Sequence, residues 1–265
     1  MIKSTKNPHN PIVSVIVTTY NRQEYLSETI RSILNQTFQD FELIIVDNFS
    51  NYDFFSLIYS FNSDKITALQ NDNQGIIASN RNVGIRKAQG EFIAFCDDDD
   101  IWIPEKLENQ IQVFGNKKND LVYTNSILFF KSGEIVKTNY TPTSNLLQLL
   151  QTNHITLSSV VVRNSKNLFF SEDPLLTGIE DYELWLRLKL SGGEFYFIKD
   201  ALLKYRVLDT SFSSLSRVEN ENKILALKIR IFKNNNLTIV LKIVLLYSIL
   251  ATLIRSLILS LIKSK

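Results

Sequence analysis

Short apolar segments alternate with helical patterns over the first part of the chain. The β-branched run at residues 12–19 is followed by Leu26 and Ile30 at helical spacing. Asn21 and Glu24, which lie between them, have the spacing of a helix-capping box. Further strands are predicted at residues 41–46, 65–70 and 91–96, with helices at residues 53–59 and 75–87. Continuous apolar strands that alternate with helices predict an α/β fold, in which helices flank a mostly parallel sheet.

The pattern changes after Pro104, where strands and helices no longer alternate regularly. We predict a helix at residues 105–114, a hairpin over 121–140 that turns at 131–133, a strand at 155–163, a helix at 181–190 and two short strands at 194–198 and 201–207. Within the helix at 181–190, Trp185 is expected to belong to the core rather than to a sugar platform. The whole sheet is therefore expected to be mixed.

Composition narrows the class of protein. The chain has 265 residues, of which 45% are hydrophobic and 21% charged, which suffices for one sizeable core and a small appended element. A net charge of only +2 argues against a nucleic-acid partner. Cys96 is the single cysteine, so no disulfide is expected, and His9 and His154 are too far apart to form a metal site. The polar N-terminus has no signal-peptide core, which predicts a cytoplasmic catalytic part.

Four consecutive aspartates, residues 97–100, follow the apolar run at residues 91–96. Like charges this close repel one another, so we expect a divalent cation to neutralise them. Hard oxygen ligands favour Mn²⁺ or Mg²⁺, and Asp97 and Asp99 point to the same side if the chain stays extended. The alternative is a solvated acidic loop that caps the next helix.

Five motifs occur in an order that resembles the family 2 inverting glycosyltransferases of the GT-A fold. They are VTTYN at residues 17–21, IVDNFS at 45–50, NRNVG at 80–84, FCDDDD at 95–100 and GIEDYELW at 178–185. The resemblance covers roughly the first 210 residues and implies a GT-A nucleotide-binding fold, a nucleotide-sugar donor, a divalent metal and transfer with inversion. Because no internal repeat or low-complexity linker is found, we treat residues 1–216 as one glycosyltransferase domain, followed by a helical tail at 217–265. Within the domain, residues 1–103 would bind the nucleotide-sugar and residues 104–216 the acceptor.

On the donor side, the resemblance implies that Thr19 and Tyr20 lie beside the nucleotide and that Asp47 accepts a hydrogen bond from the base. Arg81 would meet the pyrophosphate, although a surface salt bridge is the alternative. Arg206 would also reach the pyrophosphate, in a loop that lacks the histidine of many relatives.

The aspartates fit the same resemblance. Asp97 and Asp99 match the family's Asp-x-Asp signature, with Asp99 the expected direct metal ligand. Asp98 occupies a slot that is usually small, and we place it on the donor side without a defined role. Asp100 would position the sugar or cap the following helix.

Inverting transfer also needs a base that deprotonates the acceptor hydroxyl opposite the leaving nucleotide. By resemblance Asp181 is this base, and Glu180 positions the acceptor. The alternative is that the two acids only cap the helix that follows.

The tail is apolar and basic. Residues 237–262 form a predicted helix in which Lys242 and Arg255 interrupt the apolar run, so we expect it not to span a bilayer. Its polar residues fall in one arc, which predicts an amphipathic helix lying in a membrane interface, with the basic residues of segment 223–265 on anionic lipid. A helix packed on its own domain, or on a second subunit in a homodimer, is the alternative.

These observations predict a metal-dependent inverting glycosyltransferase that is peripheral on the cytoplasmic face of a membrane. The donor is expected to be a UDP-sugar and the acceptor a saccharide or lipid-linked saccharide of a bacterial surface polysaccharide. A sugar-nucleotide pyrophosphorylase is disfavoured because residues 18–22 lack the glycines of a phosphate loop. A non-catalytic nucleotide-sugar or lipid-binding module is the second alternative.

Overall fold

The strands of the computed structural model form one nine-stranded mixed sheet. The structure describes residues 10–116, 118–138, 145–208, 217–233 and 237–263. His9, residues 139–144 of the predicted hairpin and following loop, and residues 209–216 lie outside these ranges. The strands are β1 Val13–Thr19, β2 Phe41–Asp47, β3 Ile66–Gln70, β4 Phe92–Asp97, β5 Ile101–Trp102, β6 Leu121–Phe130, β7 Ile135–Lys137, β8 Val161–Arg163 and β9 Phe195–Val207.

The first half of the sheet is parallel, as the sequence predicts. The strand order is β3-β2-β1-β4-β8-β6-β9-β5, with β7 paired to β6 as the predicted hairpin. Strand β1 runs parallel to β2 and β4, and its register pairs Thr19 with Asp47 and Thr18 with Asp97. The carboxyl ends of these three strands therefore lie at the same edge, where ligands bind in open α/β sheets.

Helices cover both faces. They are α1 Gln23–Leu34, α2 Phe54–Tyr59, α3 Ile77–Lys87, α4 Lys106–Asn116, α5 Leu146–Gln151, α6 Glu180–Leu190, α7 Arg217–Phe232 and α8 Ile239–Lys263. Alternate residues of β4 enter opposite cores: Phe95 packs with Trp185 and Leu245 on one face, whereas Cys96 packs with Trp102 on the other. Trp185 is fully buried, which confirms its assignment to the core.

Two predicted strand regions differ in the structure. In the predicted strand at 155–163, only Val161–Arg163 is extended, because Leu157–Ser159 turns as a 3₁₀ helix that presents the Ser158 hydroxyl to the backbone N–H of Asp97. The two short strands at 194–198 and 201–207 are one strand, β9, whose register against β6 shifts near Asn125.

The predicted capping box of α1 is wrong. Arg22 occupies the N-cap position, and no side chain caps the helix there. Asn21 instead adopts a positive φ of 55°, accepts a hydrogen bond from the backbone N–H of Asn51 at 2.8 Å and donates its own N–H to Ser50 Oγ at 2.8 Å. Asn21 thus ties the loop after β1 to the loop after β2.

The predicted tail helix is present as α8, and its polar and apolar sides are separated as predicted. The polar arc faces the protein: Ser248 donates to the carbonyl of Leu150, and Thr252 accepts from the ammonium of Lys228, both at 2.8 Å. The apolar side faces outward. Its exposed residues are Ile239, Val240, Ile243, Leu246, Tyr247, Leu250, Leu253, Ile254, Leu257 and Ile258, here called the outer face of α8.

Lys242 and Arg255 do not prevent part of this segment from meeting the length and composition criteria of a membrane span. Ile239–Leu259 has 21 residues and a mean hydropathy of 2.0, which is long and apolar enough for a membrane crossing by those criteria alone. The basic residues are less available to lipid than their number suggests, because Lys228 is buried and Lys223 donates to the carbonyl of Thr177.

Candidate active site

Residues 97–100, at and after the end of β4, are here called the acidic turn. Contacts from the loop after β1 hold this turn in place. Asp98 is buried, and its carboxylate accepts from Thr19 Oγ1 at 2.7 Å and from Arg22 NH1 at 3.0 Å. Burial raises the pKa of Asp98 to about 6, against the opposing effect of Arg22. The aspartate in the usually small slot therefore anchors the turn to β1 and α1, a role that the sequence did not reveal.

Asp99 receives the same guanidinium. Arg22 NH1 lies 2.6 Å from Asp99 Oδ2, while Arg206 Nε donates to the backbone carbonyl of Asp99 at 2.8 Å. Burial, reinforced by the neighbouring Asp97, raises the pKa of the Asp99 carboxyl. Arg206 also forms an ion pair with Glu28, so its guanidinium braces the acidic turn from the outside.

Asp100 is fully buried, and its carboxyl group contacts the backbone of β9. Its Oδ1 accepts the backbone N–H of Arg206 at 3.0 Å, and burial raises its pKa well above the ordinary value. The position therefore joins β9 to the acidic turn, because the carboxyl group bonds to the strand. The sequence alternatives of sugar positioning and helix capping do not describe this contact.

The carboxylates of Asp97 and Asp99 are of the ligand type that Mg²⁺ and Mn²⁺ prefer, but two carboxylates do not complete a coordination shell. The side chain of Asp97 is 31% exposed and that of Asp99 is 10% exposed. Within the described ranges, no group of three or more acidic, histidine or cysteine side chains is placed to hold a metal ion. Two hard oxygen donors on one turn fit Mg²⁺ or Mn²⁺ only as part of a shell that phosphate oxygens complete.

Arg81 connects the acidic turn with the second pair of acids. This buried residue of α3 forms a 3.1 Å ion pair from NH2 to Asp97 and a 2.5 Å ion pair from NH1 to Glu180, with its guanidinium 5.3 Å from the Phe170 ring centroid. Residues 97 and 180 are distant in sequence, and one guanidinium brings them together. The alternative of a surface salt bridge is wrong, because the side chain is buried.

Glu180 and Asp181 begin α6 and differ in their contacts. Glu180 is buried between Arg81 and the backbone N–H of Gly178, which donates to Oε2 at 2.5 Å. Asp181 is partly buried and accepts the N–H of Tyr182 at 2.6 Å. Burial, followed by repulsion from Glu180, raises the pKa of Asp181 to about 7. A carboxyl group with this pKa can exchange a proton near neutral pH.

Asp47 lies at the end of β2, where it is paired in register with Thr19 of β1. Its carboxylate is fully buried and accepts from the N–H of Ser50 at 3.0 Å, from the Ser50 hydroxyl at 2.5 Å and from the Gln70 amide at 3.0 Å. Much of its accepting capacity is therefore used to shape the loop. Tyr20 is exposed at the adjoining strand end, whereas Thr19 is buried beneath it.

Sequence reasoning misses two contributors to this site. The sequence pattern singles out residues 18–22 only for their lack of glycine, and it does not identify Arg22 as part of the site. A cation that directly follows a strand-end motif is the signal that could have identified Arg22. Ser158 lies within a predicted strand, and nothing in the local pattern shows that its hydroxyl holds Asp97.

Comparisons with known proteins identify the family and the fold of the chain. The family model described as Glycosyl transferase family 2 matches residues 14–175. An uncharacterized glycosyltransferase of Methanocaldococcus jannaschii is 32% identical over 221 residues, which cover 80% of this chain and 76% of that protein. The UDP-Glc:alpha-D-GlcNAc-diphosphoundecaprenol beta-1,3-glucosyltransferase WfaP of Escherichia coli is 31% identical over 68% of this chain and 71% of its own length.

The crystal structure of S. aureus TarS 1-349 in complex with UDP-GlcNAc has a TM-score of 0.72 and 22% identity, and covers 91% of this chain and 72% of that one. At this identity the similarity establishes the fold, which is the expected GT-A arrangement. From the family match and these relatives, the chain belongs to glycosyl transferase family 2 and is a glycosyltransferase.

Proposed function

We propose that this glycosyltransferase moves a sugar, with inversion, from a nucleotide-sugar to the hydroxyl of a lipid-linked saccharide in a divalent-metal-dependent reaction. The observation that carries the proposal is the Arg81 bridge, because it connects the donor-side carboxylate Asp97 with Glu180, the neighbour of the candidate base. Inverting transfer needs acidic groups on both sides of one sugar. The same arrangement disfavours a binding module without turnover, which has no need for a base.

In the proposed reaction, Asp181 accepts the proton of the acceptor hydroxyl. The acceptor oxygen then bonds to the anomeric carbon as the bond from that carbon to the diphosphate oxygen breaks, and a nucleoside diphosphate leaves. Glu180 is fixed by Arg81 and Gly178, so it serves as a positioning residue. A bound Mn²⁺ or Mg²⁺, held by Asp97 and Asp99 with phosphate oxygens, would neutralise charge on the leaving group.

We assign the donor to the UDP-sugars. The names of WfaP and WfgD of Escherichia coli specify UDP-Glc, and a TarS structure contains UDP-GlcNAc. The loops after β1 and β2 are tied together through Asn21 and carry exposed Tyr20, which gives the base a surface for stacking. In this role Asp47 presents the loop and retains capacity for one further hydrogen bond to the base.

The acceptor and the location follow from the C-terminal helices. WfaP and WfgD act on acceptors linked to diphosphoundecaprenol, a membrane lipid. The outer face of α8, from Ile239 to Ile258, extends for about 29 Å at 1.5 Å per residue, and its exposed side chains are leucine, isoleucine, valine and tyrosine. We propose that this face inserts into the cytoplasmic leaflet and that the domain at residues 1–216 stays peripheral. A second subunit on the same face is the alternative.

The packing of α8 explains how membrane contact would serve transfer. Ser248 of α8 bonds to the carbonyl of Leu150, and Tyr182 of α6 donates to the carbonyl of Leu149, so α5 lies between α8 and the helix that bears Asp181. An acceptor that is anchored in the leaflet would thus meet the base at a fixed height above the membrane.

Binding and transfer assays test the proposal. UDP-, GDP- and dTDP-sugars are screened with and without Mn²⁺ for a rise in the melting temperature of the full chain, and a hit is then incubated with a lipid-linked saccharide. We expect Mn²⁺-dependent stabilisation by one UDP-sugar and release of UDP upon transfer. Stabilisation without turnover on any acceptor would favour the binding module, and pyrophosphate-dependent formation of a nucleoside triphosphate would favour the pyrophosphorylase.

A further inference from the structure

Arg22 is a cation that contacts two carboxylates of the acidic turn. One nitrogen, NH1, lies 2.6 Å from Asp99 Oδ2 and 3.0 Å from Asp98 Oδ1. The arginine side chain is 32% exposed, whereas those of Asp98 and Asp99 are 7% and 10% exposed. The cation is therefore the partner with room to move, and the carboxylates are the fixed part of the contact.

The two carboxylates hold Arg22 differently. Asp98 is also bound by Thr19 Oγ1 at 2.7 Å and matches no metal-ligand position of the Asp-x-Asp pair. Asp99 is the carboxylate expected to bind the metal. A Mg²⁺ or Mn²⁺ ion bound to Asp99 Oδ2 at about 2.1 Å would lie within about 5 Å of the guanidinium nitrogen that now contacts the same oxygen. Two positive charges at that distance repel strongly in a partly buried site.

We infer that Arg22 is an internal counter-cation that competes with the divalent metal for Asp99. In the absence of metal it stabilises the Asp98-Asp99 pair. When metal binds, the guanidinium leaves Asp99 and stays tethered by Asp98. This inference rests on the proposed metal-dependent function and adds a residue that sets metal affinity.

A consequence concerns the order of binding. The displaced guanidinium needs a new anionic partner, and the diphosphate of the donor provides one at the same strand ends. Arg22 therefore keeps metal affinity low until the donor is present. Because coupling between two ligands is reciprocal, metal must raise donor affinity by the same factor.

The test is a Mn²⁺ titration of the full chain, followed by electron paramagnetic resonance of the free ion, with and without UDP. We expect Arg22→Gln to bind Mn²⁺ about tenfold more tightly than wild type without UDP, because a nearby positive charge is removed. The factor by which UDP tightens Mn²⁺ binding should shrink in this variant. Its melting temperature without metal should fall, because Asp98 and Asp99 lose their counter-charge.

Arg31→Gln is the matched control, since Arg31 lies on the same helix and the substitution removes the same charge. It should leave the Mn²⁺ affinity unchanged. If Arg22→Gln does not fold, Arg22→Lys keeps the charge on a shorter side chain, and we expect an intermediate gain in affinity. Unchanged or weaker Mn²⁺ binding in the folded Arg22 variant overturns the inference and leaves the proposed function intact. Failure of wild type to bind Mn²⁺ with UDP present overturns the metal site itself, and with it the inference.

Discussion

Asp181→Asn should stabilise the protein and strongly lower its transfer activity, so the two effects have opposite signs. In the folded state the pKa of Asp181 is raised from 3.8 to about 7, mainly by burial and then by Glu180. The folded protein therefore holds this proton more tightly than the unfolded chain does. The contribution of protonated Asp181 to the free energy of unfolding is complete below about pH 4 and is lost as the pH rises through about 7.

The magnitude follows from that rise. A change from 3.8 to about 7 corresponds to about 4 kcal/mol at 1.36 kcal/mol per pKa unit, which we reduce to about 2 kcal/mol because the side chain is only partly buried. Asparagine keeps the oxygen that accepts the N–H of Tyr182. We therefore expect the variant to melt roughly 4–8 °C above wild type at pH 8, and to show no difference near pH 4.

The transfer activity of Asp181→Asn should fall although its stability rises. Loss of the general base should lower the turnover number by about 10² to 10⁴, while the dissociation constant for UDP changes less than about twofold. In wild type the turnover number should rise with pH through about 7, as the carboxyl group loses its proton. Glu183→Gln is the control, because it removes an equal charge from the same helix at a carboxylate paired with Arg187. An equal loss of UDP affinity and turnover, or a lower melting temperature at pH 8, would refute the reasoning.

Three other perturbations test separate parts of the structure. Asp99→Asn should remove the Mn²⁺ dependence of UDP affinity, because an amide is a weaker ligand, and unchanged Mn²⁺-dependent binding would exclude Asp99 as a ligand. Ile243→Asp together with Leu250→Asp should abolish flotation with liposomes, because both side chains are on the outer face of α8. The melting temperature of this double variant should stay within about 2 °C of the wild-type value. Persistent flotation would contradict insertion of this face into the membrane. Burial lowers the pKa of Lys106 to about 7, so the folded state binds this proton less tightly than the unfolded chain and stability should rise from about pH 7 to 10. Lys106→Met should flatten this rise in urea unfolding curves, and an unaltered slope would exclude Lys106 as its source.

Deletion of α8 would be a poor test of membrane binding. Leu245 belongs to the same core cluster as Trp185, and Ser248 bonds to α5. Loss of the helix would therefore expose part of the core and would mix unfolding with membrane release. Point substitutions on the outer face separate these two effects.

The sequence by itself determined the parallel half of the fold and the location of the candidate site. Apolar β-branched runs that end in polar residues specify strands whose carboxyl ends share one edge, because parallel strands point in the same direction. The family resemblance places Thr19, Asp47 and Asp97 on the donor side, and the register of β1 with its neighbours brings all three to one edge of the sheet.

Tertiary structure decided the partners of the charged residues. Arg81 contacts Asp97 and Glu180 because α3 packs on β1 and β2, next to β4, and no local pattern encodes a contact between residues so distant in sequence. The contact of Arg22 with Asp98 and Asp99 likewise joins segments that are distant in the chain. Periodicity reports which face a residue lies on, but not which oppositely charged group faces it.

The clearest limit of the sequence is α8. Helical periodicity correctly separated its polar arc from its apolar face, but it did not determine which of them is buried. The polar side is inside because Lys228 and the carbonyl of Leu150 offer it hydrogen bonds within the protein. The polar face of a helix can be buried where neighbouring segments offer hydrogen-bond partners to its side chains. For α8 those segments are distant in the chain.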